Sequence, residues 1–213
     1  MFYLILCVFL EIMDDLTKRI VELAYTKFLQ FGIRRISIDD ICNELRISKK
    51  TFYRIFPKKE DLVEEALKYR NELAIEKFKK MIRNKNAIDS LVATMKFIKD
   101  HINEECSSFF YDISKYYPSI FVRFQEYQSK RLRESFTSNL KQGIADGFYR
   151  EDLDVELISI FYAVQLKNSY KDILTIEPKI TKKRLMEFYN DVTIRLITND
   201  KGLKYVEDQL KRN

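Results

Sequence analysis

The stretch that decides the fold spans residues 37–56 and reads SIDDICNELRISKKTFYRIF. Ser37 and Ser48 are both good N-cap residues, whose side chains accept a hydrogen bond from the first turn of a helix. Each is followed by a short segment with apolar residues at helical spacing, and Pro57 ends the second segment because proline cannot continue a helix. The stretch therefore predicts a helix-turn-helix at about 37–56, the motif whose second helix lies in the major groove of DNA.

The charge of this stretch favours a nucleic-acid partner. From residue 46 to residue 59 the charged residues are all basic: Arg46, Lys49, Lys50, Arg54, Lys58 and Lys59. Phosphate neutralisation supplies most sequence-independent DNA affinity, and the hydroxyls of Ser48, Thr51 and Tyr53 are groups that bind phosphate oxygens. A basic run alone is typical of any solvated helix face. Two caps and a tight turn beside it favour DNA binding.

The same residues resemble the tetracycline-repressor (TetR) family of bacterial regulators. The family pattern is carried by Ser37, Ile41-Cys42, Arg46-Ile47-Ser48, Lys49-Lys50, Thr51-Phe52-Tyr53, Phe56 and Lys59-Glu60-Asp61-Leu62, and in the preceding helix by Ala24, Phe28 and Gly32. The likeness extends over about residues 14–67. One departure is Arg46, where the family has a glycine, so a residue with a Cβ must adopt that backbone, with strain if φ is positive.

The resemblance implies an all-α fold and a set of DNA-binding residues. An N-terminal three-helix head, residues 14–60, would carry the helix-turn-helix, and residues 61–200 would form a larger helical domain for ligand binding and dimerisation. Ser37 and Ser48 would cap helices and contact phosphate. Lys49, Lys50 and Thr51 would face base edges or the flanking backbone, and Tyr53 and Lys59 would contact the DNA backbone. The DNA-binding set is therefore Ser37, Ser48, Lys49, Lys50, Thr51, Tyr53, Arg54 and Lys59.

Apolar periodicity predicts helices along the rest of the chain. Within the motif the expected helices span about 37–45 and 49–55. The other expected bounds are 14–31, 59–84, 87–103, 107–116, 118–145, 154–174 and 181–198, with Gly32 in the left-handed conformation after the first helix. The charged tail from Lys201 is expected to fray.

Two groups of side chains in this region are candidates for binding. Aromatic residues with a few hydroxyls are typical of a pocket for a small, largely apolar ligand, although aromatics at helical spacing are more often core. The candidate pocket comprises Phe109, Phe110, Tyr116, Phe121, Phe124, Tyr127, Phe161 and Tyr162. Apolar stripes on the last two strong helices predict a homodimer interface of Leu157, Ile160, Val164, Leu185, Phe188, Val192 and Leu196.

Several classes of protein are disfavoured. The chain has one histidine, His101, whose Glu105 neighbour is better explained as a surface pair than as a metal ligand, and no nucleophile or nucleotide-binding motif. We therefore expect no enzyme, no cofactor and no metal. The alternatives to a ligand-responsive repressor are an all-helical interaction protein without a DNA role and, less favoured, a helical enzyme.

Charge, cysteines and the N-terminus bear on location. The net charge of +6 permits DNA binding. Three separated cysteines, Cys7, Cys42 and Cys106, indicate free thiols in a cytoplasmic protein. The apolar residues 2–10 are too short to cross a membrane. They are interpreted either as an upstream start before a native Met13 or as an apolar extension of the first helix, and a chain starting at Met13 is expected to fold and bind DNA equally well.

Overall fold

The described chain consists of α-helices, which confirms the predicted fold class. The computed structural model describes the backbone of residues 2–101, 108–177 and 179–212, and the side chains of residues 14–98, 108–165, 176–177, 179–181 and 183–209. Within these ranges the helices are α1 (Phe2–Phe31), α2 (Ile38–Leu45), α3 (Lys49–Ile55), α4 (Lys59–Ile82), α5 (Ala87–His101), α6 (Ser108–Tyr116), α7 (Pro118–Ala145), α8 (Val155–Ile176), α9 (Lys182–Ile197) and α10 (Asp200–Arg212).

Helix ends follow the local signals closely. The bounds of α3 and α7 match the prediction, and Gly32 has φ +80° after α1, as expected. The start of α1 differs, because the helix begins at Phe2 and not near Asp14. The side chains of the apolar residues 2–10, and those of Cys7, His101, Glu105 and Cys106, lie outside the described residues, whereas the thiol of Cys42 is free and buried.

The predicted fraying of the C-terminal tail is wrong. Residues 200–212 form α10, in which Val206 is buried. The Tyr205 hydroxyl donates to Asp89 Oδ2 at 3.1 Å, and the Tyr205 ring contacts Phe148 with centroids 5.2 Å apart. The tail is helical because apolar residues at helical spacing give it a face that packs on the protein, despite its charge.

The chain divides into two compact units whose boundaries differ from the predicted division between residues 60 and 61. The first unit comprises residues 1–77 and 103–124, and the second comprises residues 78–102 and 125–213. The difference arises because α6 and the start of α7 supply core residues to the helix-turn-helix region. The first unit is therefore built from segments that are distant in the sequence.

The core of the first unit joins α1 to α6. The Phe28 ring stacks on Phe109 with centroids 6.4 Å apart, and Tyr25 meets the edge of Phe109 at 6.3 Å. On the other side Phe109 contacts Phe110, which in turn contacts Phe124 at 5.8 Å. Phe109 is completely buried, so these rings fill the interior between the helices.

The core of the second unit contains two close ring contacts. Phe136 of α7 and Tyr162 of α8 stack with centroids 4.0 Å apart. The ring of Tyr149 lies against Gly143, where a Cβ would come within 2.0 Å of Tyr149 Cδ2. The glycine allows this approach, and the Tyr149 hydroxyl donates to Asn139 Oδ1 at 3.0 Å.

The eight aromatic residues of the predicted pocket do not share one environment. Phe109, Phe110 and Phe124 are buried in the core of the first unit, with Phe121 packed against it. Tyr162 belongs to the core of the second unit, whereas Tyr116, Tyr127 and Phe161 are exposed. The structure corrects the prediction of a single pocket, because helical spacing identified residues on several faces of different helices.

The predicted dimer stripes are partly exposed. Leu157, Val164, Phe188 and Leu196 have large exposed fractions, and Ile160 and Val192 are half-buried. Leu185 is a correction, since it is buried within its own chain. Phe161, assigned to the pocket from the sequence, is 47% exposed and lies on α8 between Leu157 and Val164, so it extends the exposed stripe.

Candidate DNA-binding site

The first helix of the motif is held at its N-terminus by a capping box. The Asp40 backbone N–H donates to Ser37 Oγ at 3.1 Å, and the Ser37 backbone N–H donates to Asp40 Oδ2 at 2.7 Å. The hydroxyl of Ser37 also donates to the same carboxylate oxygen, at 2.7 Å. These hydrogen bonds lower the pKa of Asp40 and confirm the predicted cap. The Ser37 side chain is engaged within the protein.

The turn between α2 and α3 is closed by a left-handed residue. Arg46 has φ 54° and ψ 43°, the conformation expected where the related pattern has glycine. Its backbone N–H donates to Asn43 O at 3.2 Å, and that of Ile47 donates to Cys42 O at 3.0 Å. The last carbonyls of α2 are satisfied, as in a Schellman-type helix end, and the chain turns directly into α3.

The second helix exposes one face and buries the other. The Thr51 backbone N–H donates to Ser48 Oγ at 3.0 Å, which confirms the predicted cap. Phe52 is completely buried, whereas Tyr53 is 48% exposed and Lys50 is exposed. The buried ring fixes the helix, so that its exposed N-terminal residues can meet a groove of DNA.

Lys49 is held by an ion pair to the preceding helix. Its Nζ lies 2.8 Å from Asp39 Oδ1, and this hydrogen bond raises the pKa of Lys49. Both side chains are exposed, so the contribution of the pair to stability is small. Lys50 makes no ion pair among the described residues, which leaves its ammonium available at the start of α3.

Lys59 does not have the environment that was predicted for it. Its ammonium donates to Ile33 O at 2.7 Å and Ile36 O at 2.5 Å, in the loop between α1 and α2. Burial lowers the pKa of Lys59, although the negative charges of Asp112 and Asp40 oppose this effect. The side chain is directed at the protein interior. We therefore replace the predicted phosphate contact with a structural role, that of fixing the loop that enters the motif.

Replacing Lys59 with Met is expected to lower the free energy of unfolding by about 2 kcal/mol, because two carbonyls lose a charged donor. The salt dependence of DNA binding should not change, since no phosphate contact is removed. Chemical denaturation and binding titrations over a range of salt measure the two effects. Lys58→Met, at an exposed neighbour, is the matched control for stability. A K59M protein that is fully stable and has a salt slope reduced by one unit would restore the phosphate contact.

Asp112 also fixes the loop between α1 and α2, and this role could not be identified from the sequence. Asp112 of α6 is buried, and its Oδ2 accepts the Arg34 backbone N–H at 3.1 Å. A Cβ at Gly32 would lie 3.0 Å from the same oxygen, so the glycine makes room for the carboxylate. The Arg34 guanidinium also donates to the Tyr116 hydroxyl at 2.9 Å. No local pattern marks Asp112, because its partner lies 78 residues away in the sequence.

The described residues form neither a metal-binding group nor a membrane-spanning helix. Their side chains contain no group of three or more His, Cys, Asp or Glu residues that could hold a metal ion. In the same part of the chain no helix has the length and hydropathy needed to span a membrane.

Known proteins share both the motif and the fold. Residues 20–66 match the family model of bacterial regulatory proteins, tetR family. The HTH-type transcriptional repressor KstR2 of Mycobacterium tuberculosis is 24% identical over 147 residues, which cover 67% of this chain and 73% of the relative.

Solved structures with the same fold cover nearly the whole chain. A transcriptional regulator from Cytophaga hutchinsonii superposes with a TM-score of 0.68 at 17% identity, covering 84% of this chain and 97% of its own. A transcriptional regulator from Saccharomonospora viridis in complex with choline has a TM-score of 0.65 at 19% identity, covering 87% and 99%. These similarities show that the fold continues beyond the motif. Residues 20–66 thus carry a DNA-binding domain of the tetR-family type, and the chain has the helix-turn-helix and the all-helical remainder of a DNA-binding transcriptional regulator.

Proposed function

We propose that this regulator is a homodimeric repressor that binds operator DNA through α3 and leaves it when a small molecule binds. The observation that carries the proposal is the N-terminus of α3. A capped, internally anchored helix presents exposed cations and hydroxyls at the end that enters the major groove. The proposed contact residues are Ser48, Lys49, Lys50, Thr51, Tyr53 and Arg54.

These residues divide between the two kinds of DNA contact. Lys50 has no ion-pair partner in the described chain and lies in the first turn of α3, where a lysine can reach guanine O6 or N7. Tyr53 is on the exposed face one turn further and is proposed to contact phosphate. In the free protein Lys49 pairs with Asp39 at 2.8 Å. An ammonium group has three N–H donors, so those that the ion pair does not use can bind DNA.

Replacing Lys50 with Ala is expected to relax base preference at one operator position, at a cost of about 1–3 kcal/mol in binding free energy. Competition titrations with operators altered one base pair at a time would measure this. Lys58→Ala is the control, since a lysine beyond α3 and outside the proposed contact residues should leave the base preference unchanged. Equal losses on operator and random DNA would defeat the assignment of Lys50 to a base.

The proposed dimer uses the exposed apolar stripe of α8 and α9. Leu157, Phe161 and Val164 recur at helical spacing on α8, and Phe188 and Leu196 are exposed on α9. Single exposed apolar residues are common, but a contiguous row of them marks an interaction site. Pairing of the stripe with itself about a two-fold axis would give the usual symmetric homodimer and two recognition helices about 34–36 Å apart.

Ligand release is proposed from chemistry and from one structural neighbour. The regulator from Saccharomonospora viridis was solved in complex with choline. In this chain the rings of Phe136 and Tyr162 stack, and Thr137, which follows Phe136 in the sequence, donates its hydroxyl to Ser159 Oγ at 2.9 Å. Rings beside hydroxyls in a helical core suit a small, mainly apolar molecule. A ligand can release DNA only if it binds one conformer more tightly than the other.

The test is binding to the DNA immediately upstream of the protein's own gene. Nanomolar binding that survives an excess of random duplex, and weakens when a panel of small molecules that includes choline is added, is the expected result. An all-helical interaction protein, the alternative function, would bind operator and random DNA equally weakly at physiological salt. If binding is specific but no compound of the panel weakens it, operator binding is supported and release of DNA by these compounds is ruled out.

A further inference from the structure

The turn of the helix-turn-helix contains a residue in an unfavourable backbone conformation. Among the described residues, Arg46 and Asn84 are the non-glycine residues with positive φ, at 54° and 60°. Asparagine adopts this left-handed region readily, because its short side chain bonds locally, whereas arginine adopts it at a cost in free energy. A glycine would adopt the same conformation without the Cβ penalty. Arg46 therefore reduces stability at a position where glycine would not.

The side chain of Arg46 makes no compensating contact in the free protein. It is exposed and has no hydrogen bond or ion pair among the described residues. Of the neighbouring cations, Lys49 pairs with Asp39 and Lys59 with two backbone carbonyls, whereas Lys50, like Arg46, makes no ion pair among the described residues. A strained backbone conformation that no side-chain contact offsets in the folded protein points to a role in function.

The position of Arg46 indicates what that role is. It is exposed and lies two residues before Ser48, the N-cap of α3, the helix that is proposed to enter the groove. In a helix-turn-helix the N-terminal residues of the recognition helix meet base edges, and contacts to phosphate from the residues around them fix its register on the duplex. A planar guanidinium binds a phosphate through two parallel hydrogen bonds.

We infer that Arg46 is a DNA phosphate-binding residue that the turn holds in the left-handed conformation at the expense of stability. The inference rests on the proposed operator binding through α3. It adds to that surface a contact that a glycine at this position cannot make. Because phosphate contacts carry no sequence information, Arg46 would raise affinity for operator and random DNA alike.

The experiment replaces Arg46 with Gly in the full chain. The melting temperature should equal or exceed that of the parent, because the strain is removed. Affinity for both operator and random duplex should fall by the same factor, and the slope of log K against log salt should decrease by about one unit for each head bound. Arg46→Lys keeps the charge and the strain, so it should retain most of the slope and gain no stability.

Asn84→Gly is the matched control, because it relieves the other left-handed residue far from the motif in the sequence and should leave DNA binding unchanged. The inference is overturned if R46G binds with the parent's affinity and salt slope. It is also overturned if R46G loses stability, since the conformation would then not be strained. Lys50→Ala distinguishes a failure of the Arg46 inference from a failure of the proposed operator binding through α3. If neither K50A nor R46G affects binding, α3 is not the DNA-binding surface.

Discussion

Replacing Phe109 with Ala is expected to lower the free energy of unfolding of the first unit by about 3–5 kcal/mol, the cost typical of truncating a buried phenylalanine. Phe109 is completely buried and contacts Phe28, Tyr25 and Phe110. The cavity would open between α1 and α6, so DNA binding should be lost at a lower temperature than in the parent. Denaturant titration and temperature-dependent DNA binding measure both effects.

The control for this substitution lies on the same helix. Tyr111 is 57% exposed, so Tyr111→Ala removes a ring of similar size with a change of about 0.5 kcal/mol. If F109A and Y111A unfold at the same denaturant concentration, α6 is not part of the core that supports the motif. If F109A is destabilised but binds DNA up to the parent's temperature, the two regions unfold independently.

Replacing Phe188 with Asp is expected to raise the dissociation constant of the dimer by at least about a thousandfold, equivalent to about 4 kcal/mol. In the proposed interface the substitution removes two buried rings and buries two carboxylates without partners, one on each protomer. Sedimentation at micromolar concentration should show a monomer. Operator affinity should fall by about 10²–10⁴, because one head no longer tethers the other.

Val122→Asp is the matched control for the dimer. Val122 is also exposed, at 51%, and lies on α7 in the first unit, away from the stripe of α8 and α9 in the sequence. It should remain dimeric and bind operator like the parent. A dimeric F188D protein would rule out the stripe as the interface, and a monomeric parent would rule out the proposed dimer altogether.

The features that the sequence predicted well are those with local causes. The bounds of α3, the caps at Ser37 and Ser48, and the left-handed conformation of Gly32 each depend on residues within four positions along the chain. N-capping, proline termination and turn geometry act over that range. The fold class and the family resemblance follow from the same local signals.

The features that the sequence could not predict depend on distant partners. A lysine that begins a helix beside a basic run gives no sign that its ammonium binds Ile33 and Ile36 carbonyls. Nor does helical spacing distinguish buried Phe109 from exposed Phe161, because the face that a helix buries is decided by its tertiary neighbours. The corrections to the pocket and to Leu185 have this cause.

The interleaving of the first unit has a consequence for synthesis on the ribosome. Its core needs Phe109, Phe110 and Phe124, which follow the motif by more than fifty residues. N-terminal domains normally fold first as the chain emerges, but this one must wait for residues 103–124. At about 5–20 residues per second the delay after residue 77 is about 2–10 s. During that interval the apolar face of α1 lacks Phe109, the ring that packs on Phe28 and Tyr25 in the folded protein.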